Sequence, residues 1–426
     1  MVGDQSAIVI KRNLIVISAL PLREQQGASY ARIMAYAGAV TQDPNHMVWL
    51  LSTKYPDIDE KNTQEVEERI YICGNVEKKT GEGSFAERTS GKLFGKKNFR
   101  GFLENVDQFL DGLEGDKTVL VYPSINNYSD EKELLNLLKG KGIPVFSERN
   151  ELNTGKMLNY PFPKNPLKKL LFTIYYPFKY IDHYRQDQLV AEYDGNIAIS
   201  RNMEERIQKL NPNLLRIPIL ADVKRFSQKN PVRIDNELIQ LGFTGYLTMK
   251  KDGIGELIKA IGILRDKYNI GNIRLNLYGT GYRDTLAKIR KLIDEKGVTE
   301  NVVLHGQVPS ESIPEILSQQ DILLLTRPEN LQTRFGFSTK LAEYMASGVP
   351  VLITSVSDNT LYVKDGENGF VSCSHKAADT AERLFEVISR KDYLDKSIGQ
   401  KARATALQHF DAVNYSDQLI QFLFPE

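Results

Sequence analysis

The sequence predicts an α/β protein made of two doubly wound parallel-sheet domains. Three observations lead there. Short β-branched apolar runs alternate with amphipathic helical stretches along the chain. The 426 residues exceed one ordinary core and suit two domains of roughly 200 residues each. The composition also breaks between Pro218 and Pro231, where a mixed apolar and polar stretch reads as a linker. The expected domains are 1–220 and 221–405, with a terminal segment over 406–426.

In the first domain, Leu14–Leu20 is apolar but for Ser18 and reads as a strand buried on both faces. Gly27 opens a polar loop ahead of a helix from Ser29 to Thr41. Met47–Leu51 and Arg69–Cys73 read as the next strands. Val119–Tyr122 and Pro144–Phe146 are strands on either side of a helix at Glu131–Lys139. Gly195–Ser200 closes this series, followed by a charged helix that starts near Asn202. The second series begins with the strand Leu241–Tyr246 and the helix Gly255–Tyr268. Strands at Ile273–Tyr278, Val302–His305 and Ile322–Leu325 alternate with helices at Thr285–Glu295 and Glu311–Ser318. A last helix is expected over Ala412–Phe424.

Composition narrows the function classes. The net charge is +1, from 55 basic and 54 acidic residues, which gives no support to a nucleic-acid surface. Two cysteines, Cys73 and Cys373, argue against a disulfide framework and for a reducing compartment. Five scattered histidines show no metal-ligand spacing. No apolar stretch approaches bilayer length, and the N-terminus carries no signal-peptide pattern. A cytoplasmic location, peripheral on the inner face of the membrane if the surface docks there, is the expectation.

Residues 334–354 are the most informative stretch. Gly336 turns the chain, Ser338 stands where an N-cap is expected, Gly348 falls just past the helix end, and Val349–Ile353 has strand length. A loop that enters a helix aims free backbone N–H groups at what lies before it, and such a terminus favours phosphate. Glu343, inside the helix, is placed to accept hydrogen bonds from a pair of sugar hydroxyls.

Phe335, Gly336, Glu343, Met345, Ala346, Gly348, Pro350 and Val351 resemble the donor-site signature of retaining glycosyltransferases of the GT-B fold, sequence family four (glycosyl transferases group 1). The resemblance implies two Rossmann-like domains facing a central cleft. Residues 1–220 would form the acceptor side, 221–405 would bind a nucleotide-sugar, and the helix in 406–426 would cross back to the first domain. It implies transfer of a sugar to a hydroxyl of a glycan or lipid-linked acceptor, with retention, in surface-polysaccharide or glycoconjugate synthesis. The nucleotide-sugar is a co-substrate, and neither a cofactor nor a metal is expected.

Residue by residue, Lys251 falls on the family's diphosphate lysine, beside Lys250 and Gly253, and Gly245 ends the preceding strand. Tyr246 stands where the family has an arginine, so one of two phosphate cations is missing; Lys250, Arg327 and Arg334 are candidates to replace it. The amides of Phe337, Ser338 and Thr339 would face the diphosphate. Glu343 matches the ribose-binding acid, whereas the family's first acid falls on Phe335. Gly279 and Gly281 lack the third glycine of a dinucleotide fingerprint, Asp284 standing there; a nucleotide-adjacent turn and a merely tight turn both fit. His305–Val308 resembles the segment facing the base, and Gly27 the glycine loop near the phosphates. Glu148 or Glu151 either orients an acceptor hydroxyl or pairs with Arg149 at the surface.

Two basic-aromatic stretches, Arg88–Phe102 and Lys164–Tyr180, fit either an anionic membrane patch or a solvated basic face over core aromatics. Both readings stand at this level. Tyr246 and Phe335 also motivate an alternative, a catalytically weak nucleotide-sugar binder or scaffold subunit. An epimerase of the same fold needs acids and histidines with no counterpart here.

Overall fold

The structure is a computed structural model that describes residues 11–25, 27–58, 60–74, 85–123, 125–157, 165–226 and 237–425, apart from the side chains of residues 60, 85–98 and 168. Two sheets organise it. The first contains β1 (Arg12–Ser18), β2 (His46–Ser52), β3 (Thr63–Glu67), β4 (Ile70–Cys73), β5 (Asp116–Tyr122), β6 (Val145–Arg149), β7 (Gly195–Ala198) and β8 (Leu214–Arg216). Their order is β3-β4-β2-β1-β5-β6-β7-β8. The second contains β9 (Ile239–Thr244), β10 (Ile273–Tyr278), β11 (Val302–Gly306), β12 (Ile322–Leu325), β13 (Val351–Thr354) and β14 (Phe370–Ser372), in the order β11-β10-β9-β12-β13-β14.

Every described ladder is parallel except β3–β4. The two are therefore Rossmann-like domains. The apolar runs of the central strands follow from this, because helices cover both faces of such a sheet. Leu14, Val16 and Leu50 enter one core layer, Ile15, Ile17 and Val119 the other. In each sheet the strand order reverses beside the first strand, β1 or β9, and crevices for ligands open at the carboxyl edge there.

The carboxyl edges of the two sheets meet. Ser200 Oγ, past β7, donates to the carbonyl of Phe335 at 2.7 Å, and Asn202 Nδ2 donates to that of Arg334 at 2.9 Å. The amide of Arg201 donates to Asp358, past β13, at 3.0 Å. The helix Ser416–Leu423 packs on the helix Ala28–Val40, with Leu419 and Leu423 in the first-domain core. Ser416 Oγ donates to the carbonyl of Ala39 at 2.6 Å.

Several elements differ from the sequence reading. β6 extends to Arg149, so Glu148 and Arg149 lie inside the sheet and not after it. β3 went unread because Thr-Gln-Glu-Val-Glu is polar, as an exposed edge strand allows. The stretch from Pro218 is core, not linker: Ile219, Leu220, Val223 and Phe226 are buried. The remainder, 227–236, lies outside the described residues.

Candidate functional site

The second domain's site begins with two consecutive helices after β12. Asn330 caps the helix Leu331–Phe335 through a capping box with Thr333. Gly336 follows, pressed against the first domain: a Cβ there would stand 3.3 Å from the carbonyl oxygen of Asn150. The helix Thr339–Ser347 starts next and ends at Gly348, which adopts φ 72° as a left-handed cap. Ser338 holds the N-cap position without the expected capping bond; its Oγ is buried and has no partner. The ring of Phe337 is not in the site. It stacks on Tyr362 at 5.6 Å within the core, leaving the site only its backbone and that of Thr339.

The first turn of this helix joins a cluster of charge through Lys340. Asp252 Oδ1 accepts from Arg327 Nη2 at 3.1 Å and from Lys340 Nζ at 3.1 Å. Burial alone would raise the Asp252 carboxyl, but Lys340 and Arg327 hold it far below the usual carboxylate range. Lys340 is nearly buried; burial lowers its ammonium, while Asp252 pulls the other way. Lys251 turns to the first domain and pairs with Glu151, which also accepts from Gln332 Nε2 at 2.9 Å. Burial pushes the Glu151 carboxyl up, yet Lys251 and Lys156 overcome this and keep it below its ordinary value.

Of the candidates to replace the missing arginine, Arg327 shares Asp252 with Lys340, and Lys250 and Arg334 are exposed. Sequence reasoning missed Lys340 and Asp252. The signal was there for Lys340, since it precedes Glu343 by three residues and shares its helix face. Glu343 is half-buried, and among the described residues it takes neither a hydrogen bond nor an ion pair. Burial raises its carboxyl, with Arg225 and Lys340 nearby acting against that.

The strand ends explain two glycines. Gly279 has φ 136°, and a Cβ there would fall 1.9 Å from the carbonyl oxygen of Gly245, so β9 and β10 meet backbone to backbone. Gly281 similarly abuts Leu247, whereas Gly27 opens the helix Ala28–Val40 into free space. The His305 ring stacks on Tyr278 at 4.1 Å and its Nε2 lies 2.9 Å from Asn276 Oδ1.

Glu148 is not at the surface. It is fully buried, accepts from Arg32 Nε at 2.7 Å and exposes no oxygen to an acceptor, so its expected catalytic role gives way to a structural pairing. Arg149 is buried as well and bonds Glu131 at 2.6 Å, not Glu148 or Glu151. Among the described residues no group of three or more His, Cys, Asp or Glu is placed to hold a metal ion.

Residues 239–390 match the family model described as glycosyl transferases group 1. That match covers most of the second sheet and its helices, and the fold of the whole is GT-B. EpsD of Bacillus subtilis, named as a glycosyltransferase, is 25% identical over 256 residues, covering 58% of this chain and 62% of that protein. WcaL of Escherichia coli, named as a colanic acid biosynthesis glycosyltransferase, is 26% identical over 48% of this chain and 50% of its own. The chain thus matches between 50% and 62% of these relatives' length. Anabaena HepE, solved in complex with UDP and glucose, superposes with a TM-score of 0.64 at 16% identity, over 98% of this chain and 100% of that one.

Proposed function

We propose that the chain is a glycosyltransferase that binds a nucleotide-sugar at the carboxyl edge of the second sheet. It moves the sugar to a hydroxyl of a glycan or lipid-linked acceptor, with retention, in surface-polysaccharide synthesis. The carrying observation is that Arg327 and Lys340 meet on Asp252, next in sequence to Lys251, at the start of the helix Thr339–Ser347, on which Glu343 takes no hydrogen bond or ion pair among the described residues. Such a terminus with cations suits a diphosphate. The unpaired Glu343 carboxylate suits a ribose diol. Lys251 and the amides of 337–339 would stabilise the leaving diphosphate, which takes the acceptor proton on the same face. Side-chain cations supply the charge neutralisation, so no resident metal is required. The names of the relatives and the UDP held by HepE support the same reading.

A thermal-shift screen with UDP-, GDP-, ADP- and dTDP-sugars tests it. One nucleotide class at ~100 times its dissociation constant should add roughly 2.7 kcal/mol of stability. No shift with any of them refutes the donor site. Turnover with candidate acceptors separates an enzyme from a scaffold that only binds.

The acceptor side also points to a membrane. In the helix Pro166–Gln188 the apolar stripe faces solvent: Leu167 is 68% exposed, Leu170 58%, Ile174 59% and Phe178 66%. Its inward residues include the polar His183, Gln186 and Asp187. Lys169 and Lys179 lie along the same helix. An outward apolar stripe with lysines fits an anionic bilayer surface. The other basic-aromatic stretch is different, since Phe99 and Phe102 are core and 88–98 have no described side chains. No helix of the described residues is long and apolar enough to cross a membrane. The chain should co-sediment with vesicles containing phosphatidylglycerol at low salt, and Leu170→Glu with Phe178→Glu should abolish this. Absence of binding, or binding unchanged in that variant, removes the membrane from the proposal.

A further inference from the structure

We infer that Lys340 is the second diphosphate cation of this chain, taking the place left by Tyr246; the inference rests on the nucleotide-sugar reading above. Tyr246 occupies the strand end where the resemblance places an arginine. Its ring is 42% exposed and meets the edge of Tyr282 at 5.5 Å, so that position offers no charge. The Lys340 side chain returns to the same strand end from the second residue of the helix Thr339–Ser347. Its Nζ lies 5.0 Å from the centroid of the Phe243 ring on β9. A Cβ on Gly245 would stand 2.4 Å from Lys340 Cε. Gly245, at φ 120°, is thus the gap through which the lysine passes.

The surroundings leave this cation available. Asp252 serves Arg327 and Lys340 together, so one carboxylate answers two charges. Ser338 Oγ, buried and without a hydrogen-bond partner among the described residues, belongs to the N-cap residue of the same helix. Lys340 Nζ thus stands at the strand end beside Gly245, with Asp252 as its ion-pair partner. In the transfer step the C1–O bond of the sugar donor breaks and its electron pair stays on the diphosphate. The acceptor oxygen bonds C1, and its proton passes to that diphosphate. Charge grows on the leaving oxygens, and Lys340 with Lys251 meets it there.

The test uses the full chain and calorimetric titration with UDP, GDP, ADP and dTDP and the matching monophosphates. Lys340→Met should weaken the diphosphate that binds the unaltered protein by about tenfold, close to 1.4 kcal/mol, and the monophosphate much less. Adding Tyr246→Arg to Lys340→Met should restore most of the loss, which a merely structural lysine would not allow. If Lys340→Met melts too low to titrate, Lys340→Gln serves, since it loses the charge and keeps a hydrogen bond to Asp252. Diphosphate binding unchanged by the loss of charge overturns the inference. So does an equal loss of monophosphate that Tyr246→Arg fails to rescue. If the unaltered protein binds none of the diphosphates, the nucleotide-sugar reading falls and this inference with it.

Discussion

Lys251→Ala should lower the transfer rate by about 10²–10³, the loss that follows removal of one preorganised group from a charge developing in the transition state. The effect should fall on kcat and kcat/KM alike, because the diphosphate gains charge only as the glycosidic bond breaks. Lys251 is well placed for this. It follows β9 on the edge that faces the first domain, and it is held there by Glu151, 100 residues away in sequence. Glu151 neutralises the lysine; a bound donor diphosphate would compete for it. The pairing spans both domains, so under the proposed function donor binding and domain closure would act on the same contact. Steady-state kinetics over a range of donor concentrations checks this. An unchanged kcat removes Lys251 from the mechanism, and a rise in KM alone makes it a binding group only.

Much of the fold is readable in the sequence for a simple reason. A strand covered on both faces has no solvent side, so it reads as an apolar run bounded by turns. Ile273–Tyr278 and Ile322–Leu325 have the same limits in sequence and structure. The reading fails where that condition fails. β3 is an edge strand with a charged pattern. The helix Pro166–Gln188 turns its apolar stripe outward, so its periodicity said nothing of a core. The site divides in the same way. Local backbone features, such as Gly348 after its helix and the turn at Gly336, follow from neighbouring residues. The charge pairs do not. Asp252 and Lys340 are 88 residues apart, and Arg32 and Glu148 are 116 apart. Only the folded chain brings them together. Glu148 shows the cost of ignoring this: an acid after a strand reads as exposed when the strand is ended three residues too soon.

Glu148→Ala should destabilise the first domain by about 3–5 kcal/mol, the usual cost of leaving one partner of a buried ion pair uncompensated. Arg32 is fully buried at the heart of that domain. Its Nε donates to Glu148 Oε1 at 2.7 Å, its Nη1 to the carbonyl of Pro218 at 2.7 Å, and its Nη2 to Tyr36 and to the carbonyl of Ile217 at 3.2 Å. Two carbonyls and a hydroxyl cannot neutralise the guanidinium once the carboxylate is gone. Burial pushes the Glu148 carboxyl up, and Arg32 opposes that shift, so the carboxylate's charge depends on the arginine. For a domain of about 200 residues, each kcal/mol moves Tm by about 2–4 °C, and a fall on the order of 10 °C is expected by calorimetry. The double change Arg32→Met with Glu148→Leu should cost far less than either single change, because a packed apolar pair removes both charges together. Below its melting point, Glu148→Ala should keep its transfer rate, since Glu148 exposes no oxygen to the cleft. A variant that melts normally but loses transfer would return Glu148 to the catalytic machinery.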